Sequence, residues 1–390
     1  MNECEGSMTL SIAVVTETFH PFKGGSAKRY LEVFSRLVEK GFNVDVYTVR
    51  LDNRWLLEEE YKGIRIIRSR EAAPDYITRD GFRSISGITK YLTWLYRVLN
   101  PREYDVIEAN HCPIFPVFLS WFKKRSRPLI STVHEVWWSD WYRYAPTILH
   151  VPLGVILERS MMSLPTHIIS VSRFTTERLV NILGVSRDMI TTIPNGVDLN
   201  LYRSIDSGKI YGRLVYGGRL NPHKRIDILL KSFEKLYKSF DVELDIFGDG
   251  PLRGYIVSYI SRNGLSRRVY LHGMVDDYRF AYLMRRGYIY TLPSMREGQS
   301  ITTLEAMAAG TPQVTVYSSG NAAYTMVLEA GSGVVTKLDP SSYSMGIKRL
   351  LEDDGLWREA REAGYRYVSR FDWDVIAEKH RIVYETFSRR

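Results

Sequence analysis

Twice along the 390 residues, a short aliphatic run ends in glycines and gives way to a helix-periodic stretch, and each time another aliphatic run follows. In the first instance residues 10–16 (LSIAVVT) lead through Pro21, Gly24 and Gly25 into a helix over 27–39, with Tyr30, Phe34, Leu37 and Val38 on one face; 43–49 is the next strand. A strand without polar alternation is buried on both faces, which calls for a parallel sheet covered by helices. Strand, glycine loop, helix, strand is the opening of a doubly wound α/β domain. Strands at 105–109, 129–134 and 167–171 continue the series, interrupted by longer insertions at 50–100 and 135–165. A second series starts at 213–216, with a helix over 225–238 and strands at 242–247, 269–271, 288–292, 313–316 and 333–335.

A chain of this length exceeds one hydrophobic core. The polar stretch 201–212 marks the junction, so the expected domains are 1–205 and 206–370, with a last amphipathic helix at 371–390 packing back across the boundary. A net charge of +9 favours anionic partners. Basic residues are spread along the chain, with only a small cluster at Lys123, Lys124, Arg125 and Arg127, which favours small phosphorylated ligands or lipid headgroups over nucleic acid. Cys4 and Cys112 are the only cysteines, too few for a disulfide framework or a cysteine zinc site. The apolar runs 10–15 and 151–157 are too short for a secretory signal or a membrane span. The expectation is a cytoplasmic protein able to contact the inner face of the cell membrane peripherally.

The stretch 293–312, PSMREGQSITTLEAMAAGTP, carries the most chemistry. Glu297 and a loop of Gly298, Gln299 and Ser300 lead into a short helix that Ser300 can cap and that Gly310 and Pro312 stop. Free amides at that helix start suit a phosphate, while Glu297 and Glu305 can accept hydrogen bonds from sugar hydroxyls. An ordinary β-loop-α unit with two solvated glutamates would read the same way. In 216–224, YGGRLNPHK, Gly218 clears space at a strand end and Arg219 and Lys224 follow across a proline-containing loop. A guanidinium fork and an ammonium point charge suit a phosphate; a solvated basic turn is the plain alternative. Gly248, Gly250 and Gly254 form GxGxxxG after a strand, one residue off the dinucleotide fingerprint, with Pro251 placed as in a tight helix start.

Gly24 and Gly25 can let backbone approach a ligand, or serve only as a helix-start turn. His134 ends a strand where α/β ligand clefts form, although such a histidine is more often structural. Trp137, Trp138, Trp141, Tyr142 and Tyr144 make either a satellite core or a platform for sugar or lipid. No acidic or histidine–carboxylate cluster has metal-ligand spacing, and Asp276-Asp277 reads as a helix start.

Together these segments resemble the family 4 retaining glycosyltransferases of the GT-B fold, over nearly the whole chain. EGQSITTLEAMAAGTP is similar to that family's E-x7-E signature, and GGRLNPHKRIDILL to its diphosphate-binding segment. FGDGP, IPNGVD, VSRFT, the early glycine pair and the closing FDWDVIAEKHRIVYETF fall in the family's order. The resemblance implies two Rossmann-like domains facing a central cleft, the first binding acceptor and the second nucleotide sugar. It implies that Arg219 and Lys224 neutralise the departing diphosphate, Glu305 holds ribose hydroxyls and Glu297 hydroxyls of the transferred sugar. Gly25 would admit the donor phosphate, His134 would stand near the reacting sugar, and amides of Ser300 and Ile301 would complete the phosphate site.

The chain departs from the pattern at three places. Gln299-Ser300 replaces a commoner Phe-Gly, Asn321 stands where a second glycine often follows Gly320, and Glu108 holds a place often taken by histidine, leaving Asn110 or His111 to reach the ligand. The expected activity is transfer of a hexose from a UDP-, GDP- or ADP-linked sugar to a hydroxyl of an acceptor sugar or lipid-linked glycan. Retention of anomeric configuration, no metal and no cofactor go with it. A nucleotide-sugar epimerase of the same architecture and a non-catalytic sugar- or lipid-binding protein are the alternatives.

Overall fold

The computed structural model describes residues 9–77, 83–111, 114–138, 141–144 and 150–389. Cys4, Cys112, the leader at 1–7 and the side chain of Tyr144 lie outside the described residues. The chain forms two compact units, Met1–Pro194 with Trp373–Arg390, and Asn195–Asp372.

In the first unit, β1 (Ser11–Val15), β2 (Asn43–Thr48), β3 (Glu58–Tyr61), β4 (Ile64–Arg68), β5 (Val106–Asn110), β6 (Leu129–Val133), β7 (His167–Ser170) and β8 (Ile190–Thr192) make one sheet. Its order is β3-β4-β2-β1-β5-β6-β7-β8, and every pairing is parallel except β3 with β4. Ile12 to Val15 are fully buried, as a strand covered on both faces must be. The segment read as an insertion at 50–100 supplies the β3–β4 hairpin, whose turn uses positive φ at Lys62 and Gly63, and the helix Ile85–Val98. Strand β3, EEEY, is charged because it forms the sheet edge, while β4, IRIIR, lies between β3 and β2 and buries Ile64, Ile66 and Arg68.

The first helix, Gly25–Glu39, begins two residues before the expected start and buries Tyr30, Val33, Phe34 and Leu37 at helical spacing. The C-terminal helix Trp373–Ser388 returns to pack on it. The rings of Phe34 and Tyr384 stack at 6.2 Å, and Arg36 pairs with Asp374 at 2.5 Å. Beneath them lies a polar network. Arg29 donates to the carbonyls of Ile193 and Pro194, each at 2.8 Å, and lies 2.9 Å from His380 Nε2. Tyr384, 3.1 Å from His380 Nδ1, donates to Glu108 at 2.8 Å, and Tyr30 and Thr132 donate to the other Glu108 oxygen. Burial pushes the Glu108 carboxyl above its usual range and pulls the Arg29 guanidinium down to about 10.

In the second unit, β9 (Arg213–Gly217), β10 (Glu243–Phe247), β11 (Val269–Gly273), β12 (Ile289–Leu292), β14 (Gln313–Val316) and β16 (Gly333–Thr336) form a fully parallel sheet. The two-residue strands β13 (Arg296–Glu297) and β15 (Gly320–Asn321) pair beside it. The main order, β11-β10-β9-β12-β14-β16, reverses direction between β9 and β12, which opens a crevice at the carboxyl ends of those two strands. Val197 bonds to Phe371 at 2.8 Å and the helix Leu199–Ser204 packs on the helices Asp277–Arg286 and Ile301–Ala308, so residues from 195 onward belong to this unit.

Candidate functional site

The loops after β9, β10 and β12 carry most of the expected ligand-binding residues of the second unit, all at the carboxyl edge of the sheet where its order reverses. The main chain joins two of them: the Met295 amide donates to the His223 carbonyl at 2.8 Å. That bond sets Lys224 beside Glu297, with Nζ 2.5 Å from Oε1 and both side chains largely buried. Arg225, next in the chain, takes a left-handed conformation (φ 49°) held by its two-pronged contact with Asp227, each prong 2.9 Å. Strain at this point turns the chain sharply out of the Lys224 loop into the helix Ile226–Leu236.

Arg219 is exposed while Lys224 is largely buried. Burial holds the His223 imidazole well below its usual range, and the charges of Lys224, Arg296 and Arg219 push it further the same way. Three cations therefore surround one neutral histidine. Neither His223 nor Arg296 was singled out from the sequence; the signal available was only a basic residue immediately before Glu297. Burial raises the Tyr290 phenol well above the usual tyrosine range, and the charges of Glu297 and Glu305 add to that rise.

The helix Ile301–Ala308 starts as expected. Ser300 accepts from the Thr303 amide at 3.2 Å, and Gly310 closes the far end at φ 63°. Glu305, on its second turn, is buried. Gln299 is anchored away from the helix: its side-chain oxygen accepts from the Asn195 amide, and its carbonyl accepts from the Asn195 side chain at 3.2 Å. Asn195 thus orders the loop in which Phe-Gly is replaced. Asn321 is the N-cap of the helix Ala322–Ala330, accepting from the Ala323 amide at 2.9 Å. Its main chain pairs with Glu297, so a capping side chain serves where glycine is common.

Gly248 has a specific structural reason. At φ 122°, a Cβ there would strike the carbonyl of Gly218, and one on Gly250 would meet the backbone of Leu220. The glycines after β10 let two loop backbones pack against each other, with Leu220 donating to Asp249 at 3.0 Å. Gly254 has open space around it. The near-dinucleotide spacing therefore reflects loop packing.

In the first unit, Gly24 and Gly25 follow β1, Asn110 and His111 end or follow β5, and His134 follows β6, at the carboxyl ends of three adjacent strands. Gly24 is the N-cap of the first helix in extended geometry, and Gly25 is exposed. The His134 amide donates to His111 Nδ1 at 3.2 Å, which leaves the His111 proton on Nε2. Burial lowers His111 to about 4 and holds His134 well below its usual range, with His111 and Arg29 adding to the effect on His134. Both rings are neutral near pH 7. Among the described residues, His134 Nε2 is buried without a hydrogen-bond partner. Asn110 turns inward, donating to Thr16 at 3.2 Å.

The aromatic segment is organised by one acid. Glu158, buried on the helix His150–Met161, accepts from the amides of Trp137 (2.7 Å) and Trp138 (2.9 Å) and from the Trp141 indole (3.0 Å). Trp141 lies over Gly154, while Tyr142, Leu153 and Ile156 are exposed. Asp276 caps the helix Asp277–Arg286, as its sequence suggests. Among the described residues no three His, Cys, Asp or Glu side chains are grouped to hold a metal ion, and no helix is long and apolar enough to cross a membrane.

Two family models match the chain: Glycosyltransferase Family 4 over residues 23–201 and Glycosyl transferases group 1 over residues 212–353. An uncharacterized glycosyltransferase of Methanocaldococcus jannaschii is 26% identical over 96% of this chain and 98% of its own. Among solved structures, sucrose-phosphate synthase of Thermosynechococcus elongatus superposes with a TM-score of 0.82 at 18% identity, covering 97% of this chain and 98% of its own. The Anabaena protein HepE, solved in complex with UDP-glucose, gives 0.73 at 16% identity, covering 97% and 100%. At such low identity the two structural likenesses speak for the fold.

Proposed function

The chain belongs to the family 4 glycosyltransferases and has their GT-B fold; on that premise we propose that it moves a hexose from a nucleotide diphosphate sugar to an acceptor hydroxyl, with retention of anomeric configuration and without a metal ion. The observation that carries this reading is the meeting of Lys224 with Glu297 beside the Ser300-capped helix, at the reversal point of the second sheet. Cation, helix amides and carboxylates at one spot match the diphosphate and hydroxyls of such a donor.

In the proposed reaction the bond between the anomeric carbon and the diphosphate oxygen breaks, and its electron pair leaves with the phosphate. Arg219 and Lys224 stabilise the charge that develops there, a contribution of the kind that dominates such barriers. Glu297 fixes the sugar through its hydroxyls and Glu305 fixes the ribose. Gly218 and Gly298 keep the loops slim enough for close approach, and the amides of Ser300 and Ile301 face the phosphate. The acceptor oxygen bonds to the anomeric carbon on the face the phosphate leaves, and the acceptor proton passes to that phosphate. No residue here is assigned as a covalent nucleophile. In the first unit, Gly24 and Gly25 are proposed to admit the donor phosphate and His134, neutral, to donate or accept a hydrogen bond from the sugar.

For the acceptor we propose a lipid-linked or membrane-presented glycan at the inner face of the membrane, supported by the net charge of +9 and the exposed Tyr142, Leu153 and Ile156 around the Glu158-anchored tryptophans. The donor is tested by thermal shift with UDP, GDP and ADP, in the parent protein and in Lys224→Ala. One nucleotide should stabilise the parent and lose its effect in the variant; no response to any of the three removes the proposal. The anomeric configuration of the product by NMR, with and without EDTA, tests retention and metal independence. Flotation with anionic liposomes at low salt tests the membrane contact.

A further inference from the structure

The second unit holds a separate cavity at the opposite edge of its sheet, where β9 and β12 begin. It has a volume of about 380 Å³, and Lys209, Arg285, Arg358 and Arg361 supply cations to its wall against a single carboxylate, Asp354. Asp354 is already paired with Arg358 at 2.5 Å. That leaves Lys209, Arg285 and Arg361 around one hollow.

Their partners in the structure are neutral. Lys209 donates to the Ala309 carbonyl at 3.0 Å and to the Thr311 hydroxyl. Arg285 donates to the Tyr365 hydroxyl at 3.2 Å. The Arg361 guanidinium lies 5.7 Å from the ring centre of Trp357 and 5.6 Å from that of Tyr365. Among the described residues, Nε of Arg285, Nε of Arg361 and the Ser207 hydroxyl oxygen are buried without a hydrogen-bond partner. An arginine Nε–H is a strong donor, and burying it unmet is costly. Burial, with the charges of Arg285 and Arg361 adding to it, pulls the Lys209 ammonium well below the ordinary lysine range. A second cavity of about 400 Å³ shares Arg285 and Tyr365 and adds Arg203.

We propose that this cavity binds an anion bearing a phosphoryl group, held by the forks of Arg285 and Arg361, the Lys209 ammonium and the Ser207 hydroxyl. Guanidinium forks match phosphate oxygens two at a time, and the three charges outnumber what the protein itself supplies. The cavity has room for more than a bare phosphate, so both inorganic phosphate and a small phosphate monoester are candidate sources of the group.

The test is calorimetric titration at constant ionic strength, with inorganic phosphate and glycerol phosphate as the two probes. It is run in an Arg219→Ala, Lys224→Ala background so that the loops of the other edge do not contribute. Saturable binding is expected, weakened roughly tenfold or more by Arg285→Gln or Arg361→Gln. A tighter fit for glycerol phosphate would identify a monoester, and a tighter fit for phosphate the free ion. As an independent route, Ser207→Glu places a carboxylate in the hollow; it should raise the melting temperature and abolish the response to both probes. Absence of binding for both probes in that background, or binding indifferent to positions 285 and 361, overturns the proposal.

Discussion

Lys224 and Glu297 stand 73 positions apart in the chain, yet the ammonium of one lies 2.5 Å from the carboxylate of the other. The contact is made by two loops at neighbouring strand ends, tied through the Met295 amide and the His223 carbonyl. Each side chain presents a charge to the place where a diphosphate sugar is proposed to bind.

Lys224→Ala should lower kcat/KM by about 10²–10³-fold, with most of the loss in kcat, because the ammonium is asked to stabilise charge that appears only as the phosphate leaves. Initial-rate kinetics on the preferred donor checks this, with a thermal melt to establish that the variant is folded. A kcat near that of the parent would remove Lys224 from the chemistry.

Gly248 and Gly254 should respond to alanine in opposite directions. At Gly248 the positive φ and the collision with the Gly218 carbonyl should cost about 2–4 kcal/mol. At Gly254, helical, exposed and with open space around it, alanine should stabilise by about 0.5–1 kcal/mol. Urea unfolding of the two variants decides. Equal and mild effects would contradict the loop-packing account of these glycines.

Glu108 should make stability depend on pH in a defined direction. Its folded-state pKa is raised by burial, so the folded protein keeps a proton that the unfolded chain releases above about pH 4.5. Its contribution is fully present below that pH and is lost as pH rises through the folded value. His111 acts oppositely: lowered to about 4, it withdraws stability as pH falls from 6.5 toward 4. The difference between parent and Glu108→Gln isolates the first effect. Unfolding free energies from pH 4 to 8 should show the variant gaining on the parent as pH rises, and a constant difference would refute the assignment.

Glu158→Ala should release the tryptophan segment. Three N–H donors lose their acceptor, a loss of about 2–4 kcal/mol, and tryptophan emission should shift to the red. Glu158→Gln, which keeps an acceptor oxygen, should show a smaller shift. Unchanged fluorescence in Glu158→Ala would mean that the aromatic residues hold themselves in place.

Much of this was legible in the chain because it rests on local pattern. Uninterrupted aliphatic runs announced strands covered on both faces, and helical spacing announced the helices between them. Ser300 before Ile301 and Gly310 after Ala309 marked the ends of the signature helix, since capping depends on residues only a few positions apart. The β3–β4 hairpin went unread because its edge strand is the charged run EEEY, which resembles a loop. Residues 195–205, expected in the first domain, also gave no local sign of the unit they join, since that depends on contacts with helices far along the chain.

The amino-acid order by itself determined the doubly wound architecture and which side chains sit at strand ends, because these follow from periodicity over a few residues, and it carried the motifs by which the family is matched. Tertiary structure alone decided that Gln299 is fastened to Asn195, that Gly248 makes room for Gly218, that three buried hydroxyls meet on Glu108, and that Arg285, Arg361 and Lys209 share one hollow. Each of those is a meeting of residues remote in sequence, and hydrogen bonding, collision and charge act through distance in space.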